Sequence, residues 1–267
     1  MPIDLPGYQP AMQDQTFTLS EGQVDLWLIR SPGRTGGAAL DISELDEAEQ
    51  RRADSFVRPA DGLLYTTAHV ALRRLLTRYT GIPPRELRFV REPCPGCGAA
   101  HGRPALKESA APLHFSLSHS DGTALVGIAA VPIGVDTERL PSREMVEDCS
   151  QELHPAERSE LAAAGVEEQK VRFGQIWTRK EAFLKGIGTG LSRSLSEDYL
   201  GADVERHPPG WFLIDVTCGP THCAAAAIRG PAPSHVNLRR MPGQWLGALG
   251  TEADTNAFVP FTPVLAC

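Results

Sequence analysis

The order of apolar patterns predicts an α+β pseudo-dimer: two similar α+β subdomains over residues 23–131 and 132–242, with the active site in the cleft between them. Three observations point there. Each half mixes strand-like alternation with helix-like periodicity, the second half repeats the element content of the first, and the join falls near residue 131. No residue-level repeat accompanies that likeness. A chain of 267 residues can bury a substantial core as one large domain or two fused small ones. Residues 1–22 read as a polar, proline-containing N-terminal extension and 243–267 as a tail that wraps the surface. A cleft between two such halves is a natural ligand site.

Taken in order, Val24-Asp25-Leu26-Trp27-Leu28-Ile29 reads as the first strand, half alternating and half buried. After a turn over Pro32 to Gly37, Ser43 precedes an acidic first turn, and helical spacing continues to Phe56. A longer helix runs from Asp61 to Tyr79, where Leu64, Ala68, Ala71, Leu72, Leu75 and Leu76 form one stripe. Gly81-Ile82-Pro83-Pro84 ends it. A connection rich in proline, glycine and cysteine, Glu92 to Pro104, leads to a hairpin pairing Leu113–Leu117 with Thr123–Ala130, turning over Ser118 to Gly122. Ile133 to Glu138 is a further short strand. Helices follow between Ser142 and Lys185, then strands at Gly210–Thr217 and His222–Ile228. From Pro231 onward proline and polar residues dominate.

Composition narrows the function. A net charge of −7 with 42% hydrophobic residues describes an ordinary soluble chain, not one shaped for broad attraction to nucleic acid. A negatively charged substrate would therefore need a local basic pocket. No signal peptide and no run of about 18 apolar residues is present, so the expected compartment is the cytoplasm, with no membrane partner. The six cysteines are too sparse and irregular for a disulfide framework, and reduced thiols are expected.

Three segments carry chemistry. In Ile133-Gly134-Val135-Asp136-Thr137-Glu138, a period of two puts Asp136 and Glu138 on one face, their Cα atoms roughly 7 Å apart. Paired carboxylates of this kind suit Mg²⁺, which takes oxygen ligands and leaves positions for substrate phosphates. Taken alone, such a pair is far more often a strand end with two solvated acids, and by itself it decides nothing. In Trp177-Thr178-Arg179-Lys180-Glu181-Ala182-Phe183-Leu184-Lys185, residues Trp177, Glu181 and Lys185 share a helical stripe, and Gly186, Gly188 and Gly190 follow. The plainer alternative is a solvated Glu–Lys pair, worth about 0.3–0.5 kcal/mol. In Phe115-Ser116-Leu117-Ser118-His119-Ser120-Asp121-Gly122, hydroxyls and an imidazole suit a phosphate, although a histidine in a hairpin turn is often mere surface.

Taken together and in order, F-S-L-S-H-S, G-V-D-T-E and W-T-R-K-E-A-F-L-K-G-I-G-T-G-L resemble the Sfp-type 4'-phosphopantetheinyl transferases. The likeness in element order runs from about residue 24 to residue 228. It implies a Mg²⁺-dependent enzyme that transfers 4'-phosphopantetheine from coenzyme A to a serine of an apo acyl, polyketide or peptidyl carrier protein. Adenosine 3',5'-bisphosphate would be released, by a monomer with an internal pseudo-twofold. By the resemblance, Asp136, Glu138 and Glu181 hold Mg²⁺ with the pyrophosphate and Lys185 neutralises phosphate charge. Glu181 is the first choice of base and Glu157 the second; Ser118 and His119 contact coenzyme A phosphates, and Arg52, Arg103 and Lys180 are further phosphate contacts. A non-catalytic coenzyme A-binding protein and a metal-dependent phosphoesterase are the alternatives on the same fold.

Two features depart from the pattern. Leu63-Leu64-Tyr65 stands where the family often has basic residues, which puts nucleotide contacts there in doubt, and Thr137 replaces the usual apolar residue between the acids. Separately, Cys94-x2-Cys97-x3-His101 has a zinc-knuckle spacing with only three local ligands where a structural site needs four, so a turn carrying free thiols is the preferred reading and zinc stays open. Cys149, Cys218 and Cys223 read as core or strand residues.

Overall fold

Two sheets lie face to face with one long helix on each outer side. The computed structural model describes residues 16–32, 40–107 and 112–247. Residues 1–15, most of the Pro32–Gly37 turn and the tail beyond 247 lie outside that description. The first sheet has the order β4-β5-β1-β9, from β1 (Gln23–Arg30), β4 (His114–Ser120), β5 (Thr123–Ala129) and β9 (His235–Arg240). The second is β6-β8-β7, from β6 (Ile133–Arg139), β7 (Trp211–Asp215) and β8 (His222–Arg229). A short ribbon joins β2 (Phe89–Arg91) to β3 (Pro104–Leu106). The helices are α1 (Glu47–Asp54), α2 (Pro59–Thr80), α3 (Arg143–Cys149), α4 (Pro155–Ala163) and α5 (Val166–Ile187).

Alternation along the strands builds the layers. Trp27 and Ile29 of β1, with Val126 and Ile128, pack under Leu64, Ala68, Leu72 and Leu75 of α2. The residues between them, Leu26, Leu28 and Leu125, meet Ile133, Val135, Ala224, Ala226 and Ile228 of the second sheet. On the far side of that sheet Ala225 and Ala227 receive Ala182, Phe183 and Leu184 of α5. Each face is apolar because each is covered, as burial of one stripe or face per element requires.

Local signals set the ends. Both 22-residue helices, α2 and α5, stop at a glycine in the left-handed region, Gly81 at φ 73° and Gly188 at φ 86°. In α1, Asp46 and Glu49 make a reciprocal capping box. The hairpin differs from expectation. Its loop is only Asp121-Gly122, both at positive φ (41° and 80°), and Ser120 pairs with Thr123. Ser118 and His119 therefore sit in the strand and not in the turn, because two residues suffice for a tight hairpin.

Two paired elements fall where the sequence reading placed none. The ribbon β2–β3 flanks the Cys-rich connection, and β9 runs parallel to β1 from Gln23↔His235 to Leu28↔Arg240. The second half of the chain thus returns to complete the first sheet. Its one apolar side, Val236 and Leu238, joins the core between the sheets, while Asn237 donates to Asp25 (2.7 Å) and Arg239 stacks over Trp27 (5.3 Å).

Candidate active site

Strand β6 faces α5 at closer than ordinary packing distance. A Cβ at Gly134 would lie 2.0 Å from the Ala182 carbonyl oxygen and 2.3 Å from the Gly186 nitrogen, so only glycine fits. This approach brings the next outward residue, Asp136, against the end of α5. Lys185 Nζ lies 2.6 Å from Asp136 Oδ1 and 3.0 Å from Ser118 Oγ, and Ser118 itself donates to Asp136 Oδ1 at 2.7 Å.

Every second residue of β4 spends its hydroxyl on β6. Ser116 accepts from the Val135 nitrogen (3.0 Å), Ser118 donates to Asp136, and Ser120 accepts from the Arg139 nitrogen (3.4 Å). The S-x-S-x-S spacing within F-S-L-S-H-S therefore has a structural cause. Those hydroxyls join the edges of the two sheets, and Ser118 is a brace between them.

Asp136 is 1% exposed, and its second oxygen, Oδ2, is buried without a hydrogen-bond partner. Such an atom is costly to keep. Its neighbours feel the charge. Burial, then the Asp136 carboxylate, raises the pKa of Glu138, and Glu181 is also raised by burial first and Asp136 second, with Lys185 opposing. Three acids thus repel one another around one spot. Their oxygens do not close to within 4.8 Å of each other; among the described residues the one such trio is Cys94, Cys97 and His101. Lys185 instead stands on Asp136 as the local cation. In its chemistry the donor set suits a divalent ion, with an orphaned carboxylate oxygen and two half-buried acids that lose repulsion when a cation arrives, but its oxygens are not gathered as in a formed site.

A cavity of about 550 Å³ opens beside the cluster, lined by α1, α2, β2–β3, β4 and the end of α5. Lys185, His119, Arg103 and Arg91 reach it, as do Tyr65 and His69. Tyr65 stacks on His69 (4.0 Å) and meets His119 edge-on (5.9 Å). Tyr65, His69 and Arg91 are additions to the sequence reading. The Tyr65–His69 spacing of one helical turn was legible, but nothing local told which side of α2 would face a cavity.

The remaining sequence candidates separate. Arg103 lines the cavity, yet its guanidinium is committed to Glu92 (2.6 Å) and to the Gly186 carbonyl (2.9 Å), tying β3 to α5. Arg52 is exposed, over the Phe56 ring (4.9 Å), and does not line the cavity. Lys180 and Glu157 are corrections. They form a buried ion pair at 2.8 Å, with exposures of 2% and 0%, on the face of α5 turned away from the cavity. Lys180 also donates to the Leu195 and Asp198 carbonyls, and Glu157 accepts from the Leu200 nitrogen. Neither can touch a substrate, because each is saturated inside the fold.

Burial, then the neighbouring His69 and Lys185, push the pKa of His119 below its usual value. The sign follows directly. Below about pH 6.5 the unfolded chain binds a proton there that the folded chain refuses, so this group makes stability fall as pH drops. Denaturation at about pH 7.5 and about pH 5.5 should show a smaller acid loss in His119→Gln than in the parent, by at most about 1.4 kcal/mol per pH unit. Equal losses would remove His119 from the account.

Titratable groups with shifted pKa values beside a cavity make a functional-site candidate, and comparison with known proteins gives the class of protein. A model of the 4'-phosphopantetheinyl transferase superfamily matches residues 132–231. The chain is 33% identical over 181 residues, 66% of its length and 69% of the relative's, to slr0495 of Synechocystis, which carries the name of a 4'-phosphopantetheinyl transferase. It is 28% identical to HetI of Nostoc over 80% of this chain and 91% of HetI, and 24% identical to Sfp of Bacillus subtilis over 68% and 75%; both are 4'-phosphopantetheinyl transferases. The chain belongs to the 4'-phosphopantetheinyl transferase family, and it is a transferase, as its three motifs led us to expect.

Proposed function

We propose that this enzyme transfers the 4'-phosphopantetheine of coenzyme A to a serine hydroxyl of an acyl, polyketide or peptidyl carrier protein. The observation that supports it most is the Asp136 carboxylate, bonded through one oxygen to Lys185 and Ser118 and orphaned at the other. Of that arrangement Lys185 lines the cavity that would take the coenzyme. Its phosphates would lie toward Lys185, the cation at that end of the cavity, with His119 beside it as a hydrogen-bonding group.

Asp136, Glu138 and Glu181 would hold Mg²⁺, which supplies compensation for the pyrophosphate charge when bound. The residues themselves account for the rest. Lys185, already within the cavity lining, is placed to trade Asp136 for a phosphate oxygen as negative charge develops in transfer. Glu181 would accept the serine proton, directly or through a water. The serine oxygen forms a bond to the phosphorus next to pantetheine, the bond from that phosphorus to the bridging oxygen breaks, and adenosine 3',5'-bisphosphate leaves.

The test is to incubate the protein with Mg²⁺, coenzyme A and several unmodified carrier domains, then weigh each carrier. One carrier should gain the mass of phosphopantetheine, and adenosine 3',5'-bisphosphate should appear in equal amount. Free phosphopantetheine with unmodified carriers would instead establish a phosphoesterase, and intact coenzyme A in every mixture would establish a binder.

A further inference from the structure

The connection between β2 and β3 contains a group of soft ligands that the transfer chemistry does not use. Cys94 Sγ, Cys97 Sγ and a ring nitrogen of His101 lie within 4.8 Å of one another, and Cys97 Sγ is 3.0 Å from His101 Nε2. In a tetrahedral site with bonds of roughly 2.1–2.3 Å, ligand atoms stand about 3.6 Å apart. Closing a gap of at most about 1.2 Å between any two of them would therefore seat an ion. Two sulfurs and an imidazole select for zinc over the hard Mg²⁺ of the acid cluster.

The backbone is already shaped for it. The Gly98 nitrogen donates to the Cys94 carbonyl (2.8 Å), the Cys94 nitrogen to the Ala99 carbonyl (2.8 Å), and the Gly102 nitrogen to the Glu92 carbonyl (2.9 Å). Gly98 takes φ 75°, which lets the chain fold back and present both cysteines to one side. Meanwhile the ribbon has only three residues in each strand, a short pairing that a bound ion would reinforce.

From this geometry we propose that Cys94, Cys97 and His101 bind one Zn²⁺ ion; among the described residues the fourth protein ligand of a closed structural site is lacking, and water fills that position as in other three-ligand zinc sites. The ion staples the connection whose next residues, Gly102 and Arg103, line the cavity and whose Arg103 holds the Gly186 carbonyl. Its role is to fix that wall. This assignment is independent of which group the enzyme transfers.

Untagged full-length protein, purified in reducing buffer, is stripped with a chelator, dialysed against Zn²⁺ alone, freed of excess and measured for bound metal. About one equivalent per chain is expected, falling at least about tenfold in Cys97→Ser, whose exposed side chain makes a folded variant achievable. Cobalt loading of the parent, which needs no variant, should give thiolate-to-cobalt charge-transfer absorption. Less than about a tenth of an equivalent in the parent, or unchanged content in Cys97→Ser, would overturn the proposal. An intact mass two hydrogens light, from a Cys94–Cys97 disulfide in reducing buffer, would do so too.

Discussion

Asp136→Asn is expected to lower the transfer rate by roughly 10²–10³-fold, the range found when one aligned electrostatic contact to a transition state is removed, with no loss of fold. The amide keeps the shape and can still accept from Ser118 and Lys185. What disappears is the negative charge that raises both Glu138 and Glu181. Relief of that repulsion should leave the denaturation midpoint unchanged or higher, so activity and stability move in opposite directions. Initial rates at limiting Mg²⁺, paired with denaturation curves, test both parts. Parent-like transfer at limiting Mg²⁺ would refute Asp136 as the anchor of the acid cluster.

Lys180→Met carries the other large effect, and it falls on the fold. Removing one partner of a buried ion pair strands the other charge, at a cost of about 3–5 kcal/mol. Here Glu157 would keep the Leu200 and His154 amides but lose its ammonium, and the Leu195 and Asp198 carbonyls would lose their donor. The segment from 195 to 200, which leads from α5 toward β7, should loosen with it. Urea denaturation should show the loss, while the KM for coenzyme A of the folded fraction stays near that of the parent. A raised KM with an unchanged midpoint would return Lys180 to the coenzyme site.

These two outcomes mark where the sequence was informative. Period-two patterning in β6 correctly put Asp136 and Glu138 on one side, because a buried strand leaves its residues no choice of face. Helical spacing likewise put Glu181 and Lys185 on one stripe of α5. Lys180, one residue from Glu181, is turned into the protein, and no local pattern tells a lysine that reaches a ligand from one that reaches Glu157. Strand β9 was hidden for another reason. Its apolar content is two residues, Val236 and Leu238, and its polar residues find their partners on β1, more than 200 positions away in sequence. The cavity, too, is a property of assembly: α2, β3, β4 and α5 supply one or a few residues each.

The parallel pairing of β9 with β1 has a consequence for how the chain acquires its shape. During synthesis, β1 emerges first and can take β5 as a neighbour on one side, but its other side waits until residues 235–240 leave the ribosome. Until then a nearly complete molecule presents a bare strand, open to pairing with another chain. Among the described residues β9 is the last strand to be made and the one that shuts it, so the first half cannot be finished by its own sequence and must wait for the second.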